Sequence, residues 1–297
     1  MTRTTRNLPS LSQSLIETAV RTALDEDLGL AGDITTNATV AQDALAEAVI
    51  AARKPGVVAG LPLAEAAFRA VGPETHFSIE IGDGEIVTPG AVIARISGNA
   101  RTLLTAERVA LNFLGRLSGI ATLTRQYVDR IAGTHAKIVD TRKTTPGLRA
   151  FEKYAVRCGG GYNHRVGLFD AVLIKDNHIV AAGGVAAAVR AAKAAAGHMT
   201  KIEVEVDTLA QLEIVMREKV DCVLLDNMKP ADLAKAVNIV GGRCLTEASG
   251  GVNLETVKEI AQTGVDLISV GALTHSASVL DLGLDFIASP KQAALQA

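Results

Sequence analysis

The sequence predicts an α/β protein whose larger part is an incomplete parallel α/β barrel, preceded by a smaller domain. Three observations carry that reading. From about residue 137 onward, six short β-prone runs end in polar residues and alternate with Ala-rich helical stretches. Glu205, Asp226 and Glu247 recur at intervals of 21 residues, the length of one strand and one helix with short loops. No GxGxxG follows any of the runs, which disfavours a dinucleotide-binding open sheet. Strands and helices alternating at this spacing form right-handed βαβ units on a parallel sheet, and six of them favour a barrel. A flavodoxin-like open sheet is the alternative.

The predicted strands are KIVD (137–140), AVLI (171–174), KIEVEVD (201–207), CVLL (222–225), CLTEAS (244–249) and LISV (267–270). A helix TLAQLEIVMREK follows the third. In the front half, residues 16–28 have the spacing of an amphipathic helix. Segments near 46–60 and 76–96 are expected to be strands, with turns at Asp83-Gly84 and Pro89-Gly90. The hairpin in that region has no Lys at its turn, so it is not a lipoyl or biotinyl carrier module. LLTAERVALNFLGRLSGIA is expected to form a long helix entering the barrel domain.

Composition narrows the function. The chain has 297 residues, 48% hydrophobic and 21% charged, with formal net charge -2. Such a balance fits a large core and disfavours nucleic acid as a partner, because the cations are local rather than spread as a basic stripe. Cys158, Cys222 and Cys244 are too far apart for a disulfide framework or a paired metal-ligand spacing, and are expected to be reduced thiols in a cytoplasmic protein. No apolar run reaches the ~18 residues of a membrane span. The start of the chain, MTRTTRNLPSLSQSL, is basic, lacks a secretory apolar core, and is expected to be a disordered or helix-leading arm.

In a barrel, the residues that do chemistry stand where strands end. Here those are Arg142 and Lys143, then Lys175, Asp176, Asn177 and His178, then Glu205, Asp226, Ser249 to Gly251, and Gly271. Singly, each is more often just a solvated loop residue or a turn glycine. SGGVN (249–253) and VGALT (270–274) place small residues where backbone N–H groups can approach a phosphate, with Asn253 able to cap the helix that follows. Within the stretch 151–170, Gly159 to Gly161 are expected to form a flexible loop that brings His164 and Arg165 to the same mouth. Arg142, Lys143, His164, Arg165 and Lys175 would repel one another unless a multiply charged anion lay among them. Arginine suits carboxylate, because its planar fork donates two parallel hydrogen bonds.

The runs TAERVALNFLGRLSGIAT (105–122), DTRKTTPGLR (140–149), AVRCGGGYNHRVGLFDAVLIKDNHI (155–179), EVEVDT (203–208) and EASGGVN (247–253) resemble the quinolinate phosphoribosyltransferases. The similarity extends from EDLGLAGDITT (26–36) nearly to the end of the chain. The resemblance implies an N-terminal open α/β sandwich domain over residues 1–117, with residues 276–297 packing back on it, and a barrel over 118–275. It implies transfer of a phosphoribosyl group from 5-phosphoribosyl 1-pyrophosphate to quinolinate with loss of carbon dioxide, in NAD biosynthesis, with Mg²⁺. By the same resemblance, Arg142, His164, Arg165 and Lys175 face quinolinate, Lys143 and Lys175 face pyrophosphate or ribose phosphate, and Thr141 is a further substrate-binding residue. Glu205 and Asp226 hold ribose hydroxyls and Mg²⁺, directly or through water, while Ser249, Gly250, Gly251 and Gly271 hold the 5-phosphate. Arg108 is expected to reach the site from the neighbouring subunit of a homodimer or larger homo-oligomer. Other readings are a Schiff-base aldolase acting through Lys175, a non-enzymatic anion sensor, and a molybdenum-associated paralogue that shares some motifs.

Overall fold

The computed structural model describes residues 8–287. The first residues of the expected basic arm, with Arg3 and Arg6, lie outside the described residues, as do the last ten residues of the expected C-terminal return. The chain forms two compact units: Met1–Leu123, Ala150–Gly160 and Ala277–Ala297 make the first, and Thr124–Arg149 and Gly161–Ser276 the second.

The first unit begins with helices α1 (Gln13–Leu28) and α2 (Ile34–Thr39). Ile16, Val20 and Leu24 recur every four residues on α1 and are its buried stripe. Strands β1 (Leu45–Ala52) and β2 (Gly56–Val57), helix α3 (Leu61–Val71) and strands β3 (His76–Ile79), β4 (Ile86–Val87) and β5 (Val92–Asn99) follow. The long helix α4 (Ala100–Arg130) comes next, its residues beyond Leu123 belonging to the second unit. A four-stranded antiparallel sheet runs in the order β12-β1-β5-β3, where β12 is Leu282–Phe286. Sequence reading assigned no helix to α3. Its N-terminal N–H groups at Gly60 and Leu61 donate to the Asp83 carboxylate at 3.0 and 3.2 Å, so the predicted Asp83-Gly84 turn also caps a helix. Gly115 on α4 marks a close approach: a Cβ there would lie 3.0 Å from the Leu280 carbonyl, whose own N–H donates to the Gly115 carbonyl.

The loop expected at Gly159 to Gly161 starts one residue later in the structure, because Gly159 closes a helix that the sequence reading did not assign. Residues Arg149–Gly159 form helix α5, and the part from Ala150 onward belongs to the first unit. Phe151, Tyr154, Ala155 and Cys158 follow helical spacing, but two charged residues also lie inside the unit and mask the pattern. Glu152, fully buried, accepts from Arg116 at 2.8 Å, and the Tyr154 hydroxyl donates to Asp83 at 2.7 Å. Phe151 meets Phe113 edge-on with ring centroids 6.5 Å apart. Of the three glycines only Gly160 needs a positive φ, at 96°, and it makes the turn after the helix.

The second unit holds six parallel strands, β6 (Lys137–Val139), β7 (Val172–Ile174), β8 (Ile202–Val206), β9 (Cys222–Asp226), β10 (Leu245–Ser249) and β11 (Leu267–Ser269). They pair in the order β6-β11-β10-β9-β8-β7, so the sheet is an incomplete barrel with β6 and β7 at its ends, and all six expected strands are present. Between them lie α6 (Asp176–Ala181), α7 (Val185–Ala195), α8 (Leu209–Val215), α9 (Pro230–Val240), α10 (Val257–Gln262) and α11 (Ala272–His275). Thr208 caps α8 in a reciprocal box with Gln211, and Pro230 opens α9 while Gly241 closes it. Ile138, Val204, Val223, Leu225, Ala248 and Ile268 supply buried apolar strand residues. Because every ladder is parallel, all six strand C-termini share one edge.

Candidate active site

That edge gathers Thr141, Arg142 and Lys143 after β6, Lys175 after β7, Glu205 near the end of β8, Asp226 ending β9, Ser249 ending β10 and Gly271 after β11. Side-chain contacts tie several of them together. The Lys175 ammonium ion-pairs with the Glu205 carboxylate. The Lys143 carbonyl accepts from Thr274 Oγ1 at 2.6 Å, and a Cβ on Gly271 would meet the Lys143 side chain at 3.0 Å. The β6 and β11 ends are therefore packed on one another through a position where only glycine fits without a shift.

The TRKTTPGLR segment divides its three cations. Arg149 is spent on structure: its Nε donates to Thr144 Oγ1 at 2.9 Å and its Nη1 to the Val166 carbonyl at 3.1 Å, tying two irregular segments. Thr141 Oγ1 accepts the Lys143 N–H at 3.0 Å and shapes the start of the loop. Arg142 Nε is buried without a hydrogen-bond partner among the described residues, and so is Arg165 Nε. A buried guanidinium N–H lacking an acceptor is costly, so two of them in one site mark where an anion's oxygens belong. Burial and the nearby Arg142 charge push the Arg165 guanidinium below its ordinary pKa, while Glu203 and Asp170 oppose that.

Asp226 accepts from the Asn227 side chain at 2.5 Å, and Asn227, at φ 53°, donates its N–H to the Ser249 carbonyl at 2.9 Å. Gly250, at φ 92°, sits against Asn227 so closely that a Cβ would lie 2.9 Å from its backbone nitrogen. Gly251 also has a positive φ, 62°. Asn253 Oδ1 accepts from the N–H groups of Glu255 and Thr256, both at 2.9 Å, so it caps the turn that leads into α10.

His164 differs from the expectation that grouped it with the cations. Its Nε2 lies 2.8 Å from Glu203 Oε2 and 3.7 Å from Glu247 Oε1, and its Nδ1 accepts the Arg165 backbone N–H at 2.8 Å. An imidazole whose Nδ1 accepts a hydrogen bond is the neutral Nε2–H tautomer, so in this geometry it adds no charge to the site. His164 N–H and Asn163 Nδ2 donate to Asp140 at 2.9 and 2.6 Å. Glu203, Glu247 and Asp140 were not placed in the site on sequence grounds. One signal was available: Glu203 and Glu205 are two apart on a strand and share a face.

His164, Glu203 and Glu247 offer ligand atoms within 4.8 Å of one another, the grouping among the described residues that could hold a metal ion. Burial, with Glu203 adding to it, pushes the Glu247 carboxyl up from 4.5 to about 8, and the His164 Nε2 proton points at Glu203. Arg108 lies on α4 in the first unit, its side chain 64% exposed and 3.9 Å from Glu107. No helix among the described residues is long and apolar enough to cross a membrane.

Comparison with known proteins is consistent along the chain. Residues 33–118 match the profile for the quinolinate phosphoribosyl transferase N-terminal domain, and residues 120–285 the profile for the C-terminal domain. A Mycobacterium leprae protein named nicotinate-nucleotide pyrophosphorylase (carboxylating) is 47% identical over 273 residues, covering 90% of this chain and 95% of that one. A Bacillus subtilis protein described as a probable nicotinate-nucleotide pyrophosphorylase (carboxylating) is 44% identical over 88% of this chain and 89% of its own. The solved nicotinate-nucleotide pyrophosphorylase from Francisella tularensis superposes with a TM-score of 0.90 at 40% identity, covering 95% of this chain and all of that one.

Proposed function

The chain belongs to the quinolinate phosphoribosyltransferase family, and from that premise we propose how its residues divide the work of the family's reaction. The enzyme transfers phosphoribosyl from 5-phosphoribosyl 1-pyrophosphate to quinolinate with decarboxylation, yielding nicotinate mononucleotide, pyrophosphate and carbon dioxide for NAD biosynthesis. The observation that carries the division is the pair of buried guanidinium Nε atoms on Arg142 and Arg165 that have no acceptor among the described residues. In this reading they grip the pyridine carboxylates, with Thr141 and Lys175 completing that side. Lys143 and Lys175 meet the pyrophosphate or ribose phosphate. Ser249, Gly250, Gly251 and Gly271 take the 5-phosphate, supported by the positive φ angles at Gly250 and Gly251. His164 borders the quinolinate side through its ring rather than through a free N–H.

The pyridine nitrogen attacks C1 of the ribose as the pyrophosphate oxygen leaves, through a transition state with oxocarbenium character. Glu205 and Asp226, beside the sugar, stabilise its positive charge, and the lysines stabilise the charge on the leaving group. Once alkylated, the cationic ring nitrogen stabilises the electron pair left on the adjacent ring carbon when its carboxylate departs as carbon dioxide, and a proton from solvent then takes the vacated position on that carbon. No covalent nucleophile is needed.

Glu205 and Asp226 also fit Mg²⁺ by donor chemistry: both are carboxylates, on neighbouring strands, with oxygen donors only. They would hold it directly or through water as it arrives with the pyrophosphate substrate, and it would add positive charge beside the phosphate oxygens. Arg108 completes the quinolinate side from the neighbouring subunit of a homodimer or larger assembly; its exposure and its loose 3.9 Å approach to Glu107 leave it available to another copy. A cytoplasmic location is supported by three cysteines that form no disulfide. The reading is tested by carbon dioxide release from labelled quinolinate. Release is expected only when phosphoribosyl pyrophosphate and Mg²⁺ are both present; release without the sugar substrate would overturn it.

A further inference from the structure

Residues Asn163 to Arg165 run outside any regular element, yet they deliver a guanidinium that must meet a carboxylate within hydrogen-bonding tolerance. Only short backbone pairing precedes them: Tyr162 bridges to Val139 on the open edge of β6, with its N–H donating to the Ile138 carbonyl at 2.8 Å. Beyond Tyr162, buried side chains hold the chain. Asp140, fully buried, accepts the His164 N–H and the Asn163 amide. Glu203, buried on β8, accepts from His164 Nε2, and His164 Nδ1 accepts the Arg165 N–H. Arg165 itself then donates from Nη1 to the Ala171 carbonyl at 3.0 Å. A backbone N–H can only donate, so the bond to Nδ1 requires the Nε2–H tautomer, and Glu203 is the acceptor that selects it.

We infer that Glu203 is a positioning residue for quinolinate recognition: by accepting the His164 Nε2 proton it fixes the imidazole tautomer, and through Nδ1 it sets the backbone of Arg165 and hence the guanidinium. This rests on the proposed role of Arg165 at a substrate carboxylate. Glu247 stands further off, its Oε1 3.7 Å from Nε2 against 2.8 Å for Glu203 Oε2, so Glu203 is the acceptor within hydrogen-bonding distance.

Steady-state kinetics on the full chain test this with four variants. Glu203→Ala should raise the KM for quinolinate roughly ten- to hundredfold while the KM for phosphoribosyl pyrophosphate stays within about twofold, since a small misplacement of a gripping group carries costs of that order. Glu203→Gln keeps a carbonyl acceptor for Nε2–H and should recover most of that loss. Should Glu203→Ala fail to fold, the His164 pair decides. An Asn amide oxygen can replace Nδ1, whereas a Gln side chain reaches the Nε2 position, so His164→Asn should hold a lower quinolinate KM than His164→Gln. Nitrogen-15 spectra of labelled histidine in the wild type should show His164 as the Nε2–H tautomer. A folded Glu203→Ala enzyme with an unchanged quinolinate KM, His164→Gln outperforming His164→Asn, or an Nδ1–H tautomer would each overturn the inference. Wild-type protein that releases no carbon dioxide from quinolinate would instead sink the functional reading, leaving the tautomer result to stand alone.

Discussion

The Lys175 ammonium is ion-paired with the Glu205 carboxylate across the ends of β7 and β8, the lysine side chain 46% exposed and the glutamate 12%. A pair that open on one side contributes about 1 kcal/mol or less to stability. Its value is positional, since each charge holds the other at the mouth. Lys175→Ala should therefore lower kcat/KM by roughly a hundredfold or more, while thermal unfolding moves by no more than that small pair energy allows. A large fall in melting temperature with little loss of activity would show the pair to be structural.

Arg165→Lys keeps the charge but loses the fork. Hydrogen bonds to charged groups are worth about 1.5 to 3 kcal/mol, so the KM for quinolinate should rise roughly ten- to a hundredfold. Circular dichroism should be unchanged. Kinetics indistinguishable from wild type would remove Arg165 from the site.

Asp226→Asn should spare quinolinate binding, because a carboxylate gains nothing from a dicarboxylate neighbour. Turnover of phosphoribosyl pyrophosphate should fall, with a higher Mg²⁺ requirement. Titration calorimetry with quinolinate alone separates the two, and abolished quinolinate binding would contradict the assignment.

Glu247 gives the second unit a pH signature. Its carboxyl is raised from 4.5 to about 8 by burial and by Glu203, so between those values the folded state holds a proton that the unfolded chain has released. The stabilisation is complete below about pH 4.5 and is lost as pH rises through about 8. Melting temperature should decline over that window, and Glu247→Gln, which mimics the protonated acid, should flatten the decline. A Gln variant with the same slope as wild type would place the effect elsewhere.

Arg108→Ala and Lys175→Ala proteins should each be nearly inactive. When they are mixed and refolded, about half of the dimers are hybrids, each with one intact site, so activity should return to roughly a quarter of wild type. If subunits demonstrably exchange and nothing returns, Arg108 acts within its own chain or not at all.

Local pattern made much of this legible. Runs such as CVLL and LISV, followed by polar residues and Ala-rich helices, identify strands because side-chain periodicity is set by neighbours along the chain. Parallel pairing then orders the strand ends on one edge, so the sequence alone groups Arg142, Lys175, Glu205 and Asp226. Helix α5 was not legible, because Glu152 and Lys153 look solvated until Arg116, 36 residues away, accounts for the first of them.

The sequence by itself determined the succession of six βα units, the polar residue closing each strand, and the anionic character of what those cations must hold. Only the tertiary structure decided which way His164 turns. Its partners Asp140 and Glu203 lie 24 and 39 residues away, and the proton at Nε2 is assigned by the acceptors that folding brings beside it. Periodicity carries information about which face a residue occupies, whereas tautomer, burial and protonation depend on distances that no local pattern encodes.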